Sequence, residues 1–94
     1  MIPVVVGVEP IGGYELRLTF DDGTQGPIDV SDLVSFVGVF EPLRDPSMFR
    51  QARVDADLGT VAWPNGADLD PLVLYAKIKG VDVAALLAES PAKS

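Results

Sequence analysis

The chain contains neither cysteine nor histidine. Those two absences remove the commonest general base, the imidazole-dependent triads, thiol nucleophiles and the nitrogen and sulfur donors that most zinc and copper sites use. Any chemistry would have to run on carboxylate, tyrosine, lysine, serine or threonine. Bases are scarce as well: 7 Lys and Arg stand against 14 Asp and Glu, for a net charge of −7. A nucleic-acid binder needs cations to neutralise phosphates. Here Arg44, Arg50 and Arg53 fall near one another, but Asp45, Asp55 and Asp57 interrupt them. Long apolar runs are missing too. Val4-Val5-Val6 is broken by Gly7 and Glu9, and even Val83-Ala84-Ala85-Leu86-Leu87-Ala88 is far short of the ~18 residues of a membrane span. No basic stretch leads into an apolar one as in a secretory signal. These absences predict a cytoplasmic protein that binds neither membrane nor, by itself, nucleic acid. The lack of cysteine agrees, since small secreted domains tend to rely on disulfides.

What is present suits one small folded unit. The 94 residues are enough for one domain and too few for two. At 48% hydrophobic residues the chain can build a core and differs from disordered segments.

Residues 3–10 (PVVVGVEP) form a continuous apolar run between two prolines, the pattern of a strand buried on both faces. Residues 14–20 alternate: Tyr14, Leu16, Leu18 and Phe20 on one side, Glu15, Arg17 and Thr19 on the other, as in a half-buried antiparallel strand. Asp21-Asp22-Gly23 is a hairpin signal, and residues 24–30 are the return strand. Pro27 within it cannot donate to a ladder, so this strand is expected at an edge or at a bulge. Asp29 or Ser31 can cap a short helix at 31–36, ended by Gly38. Residues 41–49 hold two prolines and predict helical turns, the second starting at Asp45-Pro46 with the cap first and proline at the first helical position. Residues 50–55 and 60–63 predict a second hairpin, with Ala52 and Val54 facing inward opposite Val61 and Trp63. Asp70-Pro71 repeats the cap signature before a helix at 71–79. Gly80 ends that helix, and Lys77 and Lys79 sit where its dipole favours cations. A last helix at 82–89 carries Val83, Leu86 and Leu87 at helical spacing, with Asp82 as its cap.

The expected architecture is therefore α+β: a mainly antiparallel sheet from two hairpins plus an N-terminal strand, with short helices on one face. Residues 1–80 form the domain, and 81–94 are a helical extension with a frayed tail.

Candidate functional residues concentrate in one stretch, Trp63-Pro64-Asn65-Gly66-Ala67-Asp68-Leu69-Asp70. As a binding loop it offers a large aromatic face from Trp63, acceptors from Asn65, Asp68 and Asp70, and a stiff turn at Gly66. Tyr75, on the following helix, could hold a proton. The same residues also have architectural uses: Asn65-Gly66 as a turn, Asp70 as a cap, Trp63 and Tyr75 in the core. A cation site fails on spacing, because neither this loop nor Asp55-Ala56-Asp57-Leu58-Gly59 follows the calcium-loop pattern. Asp21 and Asp22 at a hairpin tip lack the contrasting environments an acid–base pair needs. Gly7 and Gly12-Gly13 make no phosphate loop, so no cofactor is implied.

The run from Tyr14 to Tyr75 resembles the bacterial domain-of-unknown-function 2442 family. The matching blocks are YELRLTFDDGT, the acidic IDVSDL step, FEPLRDPSMF, RVDADLGTVAW and above all WPNGADLDPLVLY, in order along about two-thirds of the chain. The resemblance implies a small α+β domain without established enzymology. Members are often encoded beside a second small protein, in an arrangement like a toxin–antitoxin pair. Some carry an added helix-turn-helix domain, which this chain is too short to hold. It thus implies a non-catalytic protein-binding or regulatory module, antitoxin-like, holding a basic protein partner through an acidic face or through the sheet edge at 24–30. Two rival expectations remain. One is a small-molecule binder or carboxylate-dependent enzyme with a site near Trp63, Asp68 and Tyr75. The other is self-association through an apolar patch on helix 82–89.

Overall fold

The structure is a computed structural model and describes residues 3–88. Three strands, β1 (Val5–Gly12), β2 (Glu15–Phe20) and β3 (Gln25–Asp29), form an antiparallel sheet in the order β1-β2-β3. Two short strands, β4 (Arg53–Asp55) and β5 (Thr60–Ala62), form a second antiparallel pair. The helices are α1 (Pro46–Phe49), α2 (Pro71–Lys79) and α3 (Val83–Ala88). This is an α+β arrangement, with the strands divided between two sheets rather than joined in one.

The alternation of β2 sets the faces. Leu16, Leu18 and Phe20 are buried while Glu15 and Arg17 are exposed. Their partners Ile28 and Gly26 on β3, with Val5 on β1, complete the inner face. The outer face is polar. Glu9 and Arg17 sit opposite each other across the β1–β2 ladder, an oppositely charged cross-strand pair.

β1 corrects an expectation. It is an edge strand with one buried face, and Val6 is 54% exposed. Register shifts between Val5 and Gly7 and between Pro10 and Gly12 break its alternation. An apolar run interrupted by bulges therefore looks in sequence like a strand covered on both sides.

β3 is the other edge. Phe20 N–H donates to Thr24 and Val30 N–H to Tyr14, so the ladder alternation puts Pro27, opposite Arg17, at a position whose nitrogen points away from β2. The proline costs the ladder nothing and removes a donor from the open side.

The expected helix at 31–36 is a single 3-10 turn at Val30–Asp32, capped by Asp29, whose carboxylate accepts from the Ser31 N–H. Gly38, expected to end a helix, instead begins a second 3-10 segment, Gly38–Arg44, that contains Pro42. Pro42, which has no N–H to donate and crowds the preceding turn, keeps this stretch from continuing as a regular α-helix. Arg44 braces this segment: its Nε donates to the Phe36 carbonyl, and its own carbonyl accepts from the Tyr14 hydroxyl at 2.6 Å.

The other caps stand as the sequence predicts. Asp45 accepts from Ser47 N–H with Pro46 at the first position of α1. Asp70 accepts from Leu72 N–H with Pro71 opening α2, and Gly80 closes α2 at φ +71°, a left-handed conformation that suits glycine. Val54 pairs with Val61, and both Ala52 and Val54 pack against the core. Asp82 caps α3 through Ala84 N–H at 3.3 Å. The side chains of Leu86 and Leu87, and the tail at 89–94, lie outside the described residues.

Aromatic contacts link the largely aliphatic core of the sheet to the helical segments. Tyr14 packs at a tilt of 47° on Phe36 and meets Phe49 edge-on, Phe49 packs on Trp63, and Phe20 meets Tyr75 edge-on at 5.0 Å. Helix α2 lies against β3, where Gly26 leaves room for Ile78: a Cβ at residue 26 would come within 2.8 Å of Ile78 Cγ2.

Candidate functional site

The stretch 63–69 folds back on β5 as a further turn of hairpin, which the linear reading missed. Trp63 N–H donates to the Ala67 carbonyl, Gly66 N–H to the Trp63 carbonyl and Leu69 N–H to the Val61 carbonyl, and Ala62 bridges Asp68. The β2–β3 turn has the same construction. There Phe20 N–H donates to Thr24, and Gly23 N–H to Phe20. In each turn the residue before the glycine accepts from the amide two residues on: Asp22 from Thr24 at 2.9 Å, and Asn65 from Ala67 at 3.2 Å. Gly23 at φ +90° and Gly66 at φ +92° occupy the bulge position of a three-residue hairpin loop. Pro64 suits the second position of the turn. The recurring spacing, aromatic residue, two turn residues, glycine, was the signal available in sequence.

This geometry separates the six candidate residues. Trp63 is 1% exposed, and its indole N–H is spent on the Phe49 carbonyl at 2.9 Å. Tyr75 is 5% exposed, with its hydroxyl donated to Asp22 Oδ2 at 2.6 Å. Asp70 caps α2. Asn65 is exposed, but its side-chain amide donates to the Val39 carbonyl at 2.9 Å and so ties the turn to the Gly38–Arg44 segment. Gly66 makes the turn. Asp68 is exposed and caps no helix. Of the residues in the expected site near Trp63, Asp68 and Tyr75, the two aromatic rings belong to the interior while Asp68 faces out.

The fold assembles a groove of about 180 Å³ beside Asp68. Leu33, Val34, Phe40, Leu69, Val73 and Leu74 line it, together with the exposed Asp68 and Asp70. Leu33, Val34, Phe40 and Val73 are half-buried. The sequence reading did not single out these apolar residues, because the groove is made by packing an irregular segment against the start of α2, and no periodicity marks such a place.

Electrostatics follow the hydrogen bonds. The Asp22 carboxyl is held below the usual carboxylate range, first by the Tyr75 hydroxyl, then by the Thr24 backbone and hydroxyl groups, with the Lys79 charge a smaller contribution. Lys79 Nζ also lies 5.8 Å from the Tyr75 ring centroid. Asp45 is lowered by the backbone and hydroxyl of Ser47. The Asp45 shift belongs to cap geometry, whereas the Asp22 shift comes first from a tertiary contact and then from its turn. Among the described residues no three Asp or Glu side chains gather as a metal site would require, and no helix is long and apolar enough to cross a membrane.

The family model described as "Protein of unknown function (DUF2442)" matches residues 5–80. The chain belongs to the DUF2442 family. The match runs from the first residue of β1 to Gly80, the cap of α2, and so takes in both sheets, the groove and all six candidate residues. No curated protein and no solved structure matches the chain.

Proposed function

We propose that this DUF2442 protein is a non-catalytic, cytoplasmic protein-binding module, antitoxin-like in style, that holds a small basic protein encoded beside it. The groove lined by Phe40 and Val73, with Asp68 exposed beside it, is the observation that carries this reading. At about 180 Å³ it falls below the ~300–1,000 Å³ of small-molecule sites. It suits a single large aliphatic or aromatic side chain of a partner. Asp68 would receive a Lys or Arg flanking that side chain, and the net charge of −7 would steer a basic partner to it. Docking by side chains is favoured over strand addition, because Pro27 removes a donor from the open side of β3.

The test is co-purification at low salt from the native cells, with wild type and two groove variants, Val73→Glu and Asp68→Lys, run in parallel. The reading expects one small basic protein, encoded adjacently, to be recovered with wild type and lost with both variants. Recovery of nothing above background, or of the same protein with all three chains, would overturn it.

A further inference from the structure

Asn65-Gly66 is a pair whose chemistry the turn holds in check. In an Asn-Gly pair the Gly66 main-chain nitrogen can attack Asn65 Cγ, since glycine presents no side chain to hinder the approach. A new C–N bond closes a five-membered imide. The side-chain amide leaves as ammonia, carrying the hydrogen that Gly66 nitrogen gives up. Water then opens the imide at either carbonyl, leaving aspartate or isoaspartate at position 65. Folding opposes the first step by fixing the geometry of both reacting groups. Gly66 N–H is held by the Trp63 carbonyl at 3.0 Å, the Asn65 side-chain NH2 by the Val39 carbonyl at 2.9 Å, and the Asn65 side-chain oxygen by Ala67 N–H at 3.2 Å.

We propose that Asn65 is a latent deamidation site, protected by this turn, and that its conversion releases the Gly38–Arg44 segment from the 63–67 turn. A carboxylate at position 65 can still accept from Ala67 N–H, but it has no hydrogen to give Val39. Two oxygens would then face each other across the former bond, and one of them is charged. Val39 adjoins Phe40, which lines the groove, so the loss would loosen that lining while leaving β2 and its neighbours intact. The chemistry needs only water and a transient opening of the turn. It stands whether or not the groove binds a protein.

The test has two arms on the full chain. In the first, wild type is held at mildly alkaline pH, folded and in denaturing urea, and conversion at residue 65 is followed by peptide mass and isoaspartate analysis. Conversion should be roughly tenfold or more slower in the folded chain, because the turn must open first. In the second, hydrogen exchange is compared between wild type and Asn65→Asp. The Phe40 amide, bonded to the Val37 carbonyl at 3.1 Å, should exchange roughly fivefold or more faster in the variant, while β2 amides are unchanged. Equal conversion in the folded and unfolded chains, wild-type exchange at Phe40, or loss of β2 protection in the variant would each overturn the proposal.

Discussion

The indole N–H of Trp63 donates to the Phe49 carbonyl at 2.9 Å, tying the residue after β5 to the last residue of α1 across 14 positions of chain. Both partners are buried. Replacing Trp63 with Phe would leave that carbonyl without its donor and open space beside the Phe49 ring. The expected cost is about 1–3 kcal/mol, read as a lower urea midpoint at unchanged slope. Trp63 is the only tryptophan, so its emission in wild type should be blue-shifted when folded and move to the red in a single step on unfolding.

A second prediction concerns the seam between α2 and β3. A Cβ at position 26 would meet Ile78 Cγ2 at 2.8 Å, and that methyl belongs to a β-branched side chain with little freedom to move. Gly26→Ala should destabilise by about 1–3 kcal/mol through overpacking. Adding Ile78→Ala should recover part of that loss. Thermal or urea unfolding of the two single variants and the double variant gives the coupling energy, expected to be favourable between the two substitutions.

The contact between Tyr75 and Asp22 predicts a pH dependence. Donation from Tyr75, with the Thr24 groups and Lys79, lowers the Asp22 pKa in the folded chain. A depressed carboxylate pKa adds stability above its unfolded value, near 3.9, and that stability is lost as pH falls through the folded value. Tyr75→Phe should therefore melt a few degrees below wild type at neutral pH, and the gap should narrow as the solution is acidified past pH ~4. Melting curves at neutral and acid pH check this. A gap of constant size would mean that the hydroxyl acts through packing alone.

Asp70 carries a fourth prediction. Its carboxylate accepts from Leu72 N–H at 2.9 Å at the start of α2. Asp70→Ala should cost about 1 kcal/mol, and Asp70→Asn or Asp70→Ser much less, since either can accept the same bond. Urea unfolding of the three variants measures the order.

Local chemistry in this chain was legible where one or two residues decide the outcome. Asp45-Pro46 and Asp70-Pro71 name two helix starts, Gly80 a helix end, and the alternation from Leu16 to Phe20 a half-buried strand, and all of these are present. The family was legible too, because WPNGADLDPLVLY is a dense block. What was not legible depends on distant partners. The run at Val4-Val5-Val6 says nothing of the bulge that exposes Val6. The turn after Trp63 is marked only by its likeness to the spacing at Phe20-Asp21-Asp22-Gly23, and that it closes on β5 depends on the Leu69 to Val61 bond. Tyr75 and Asp22 lie 53 residues apart, and neither carries a local mark of the other. The orientations of the candidate residues, inward for Trp63 and Tyr75 and outward for Asp68, are set by tertiary packing and have no local mark.

The brevity of the elements has a consequence for how the molecule comes apart. A three-residue strand pair and a four-residue helix do not persist alone in water. They are joined by single bonds that leap along the chain: Tyr14 to Arg44 over 30 residues, Asn65 to Val39 over 26 and Tyr75 to Asp22 over 53. The 63–67 turn and the Gly38–Arg44 segment can open locally, but because the sheets and α2 are upheld by contacts remote from them, neither outlasts the other in full unfolding. Residues 5–80 should accordingly be lost all at once, with heat absorption and loss of secondary structure tracing one and the same transition.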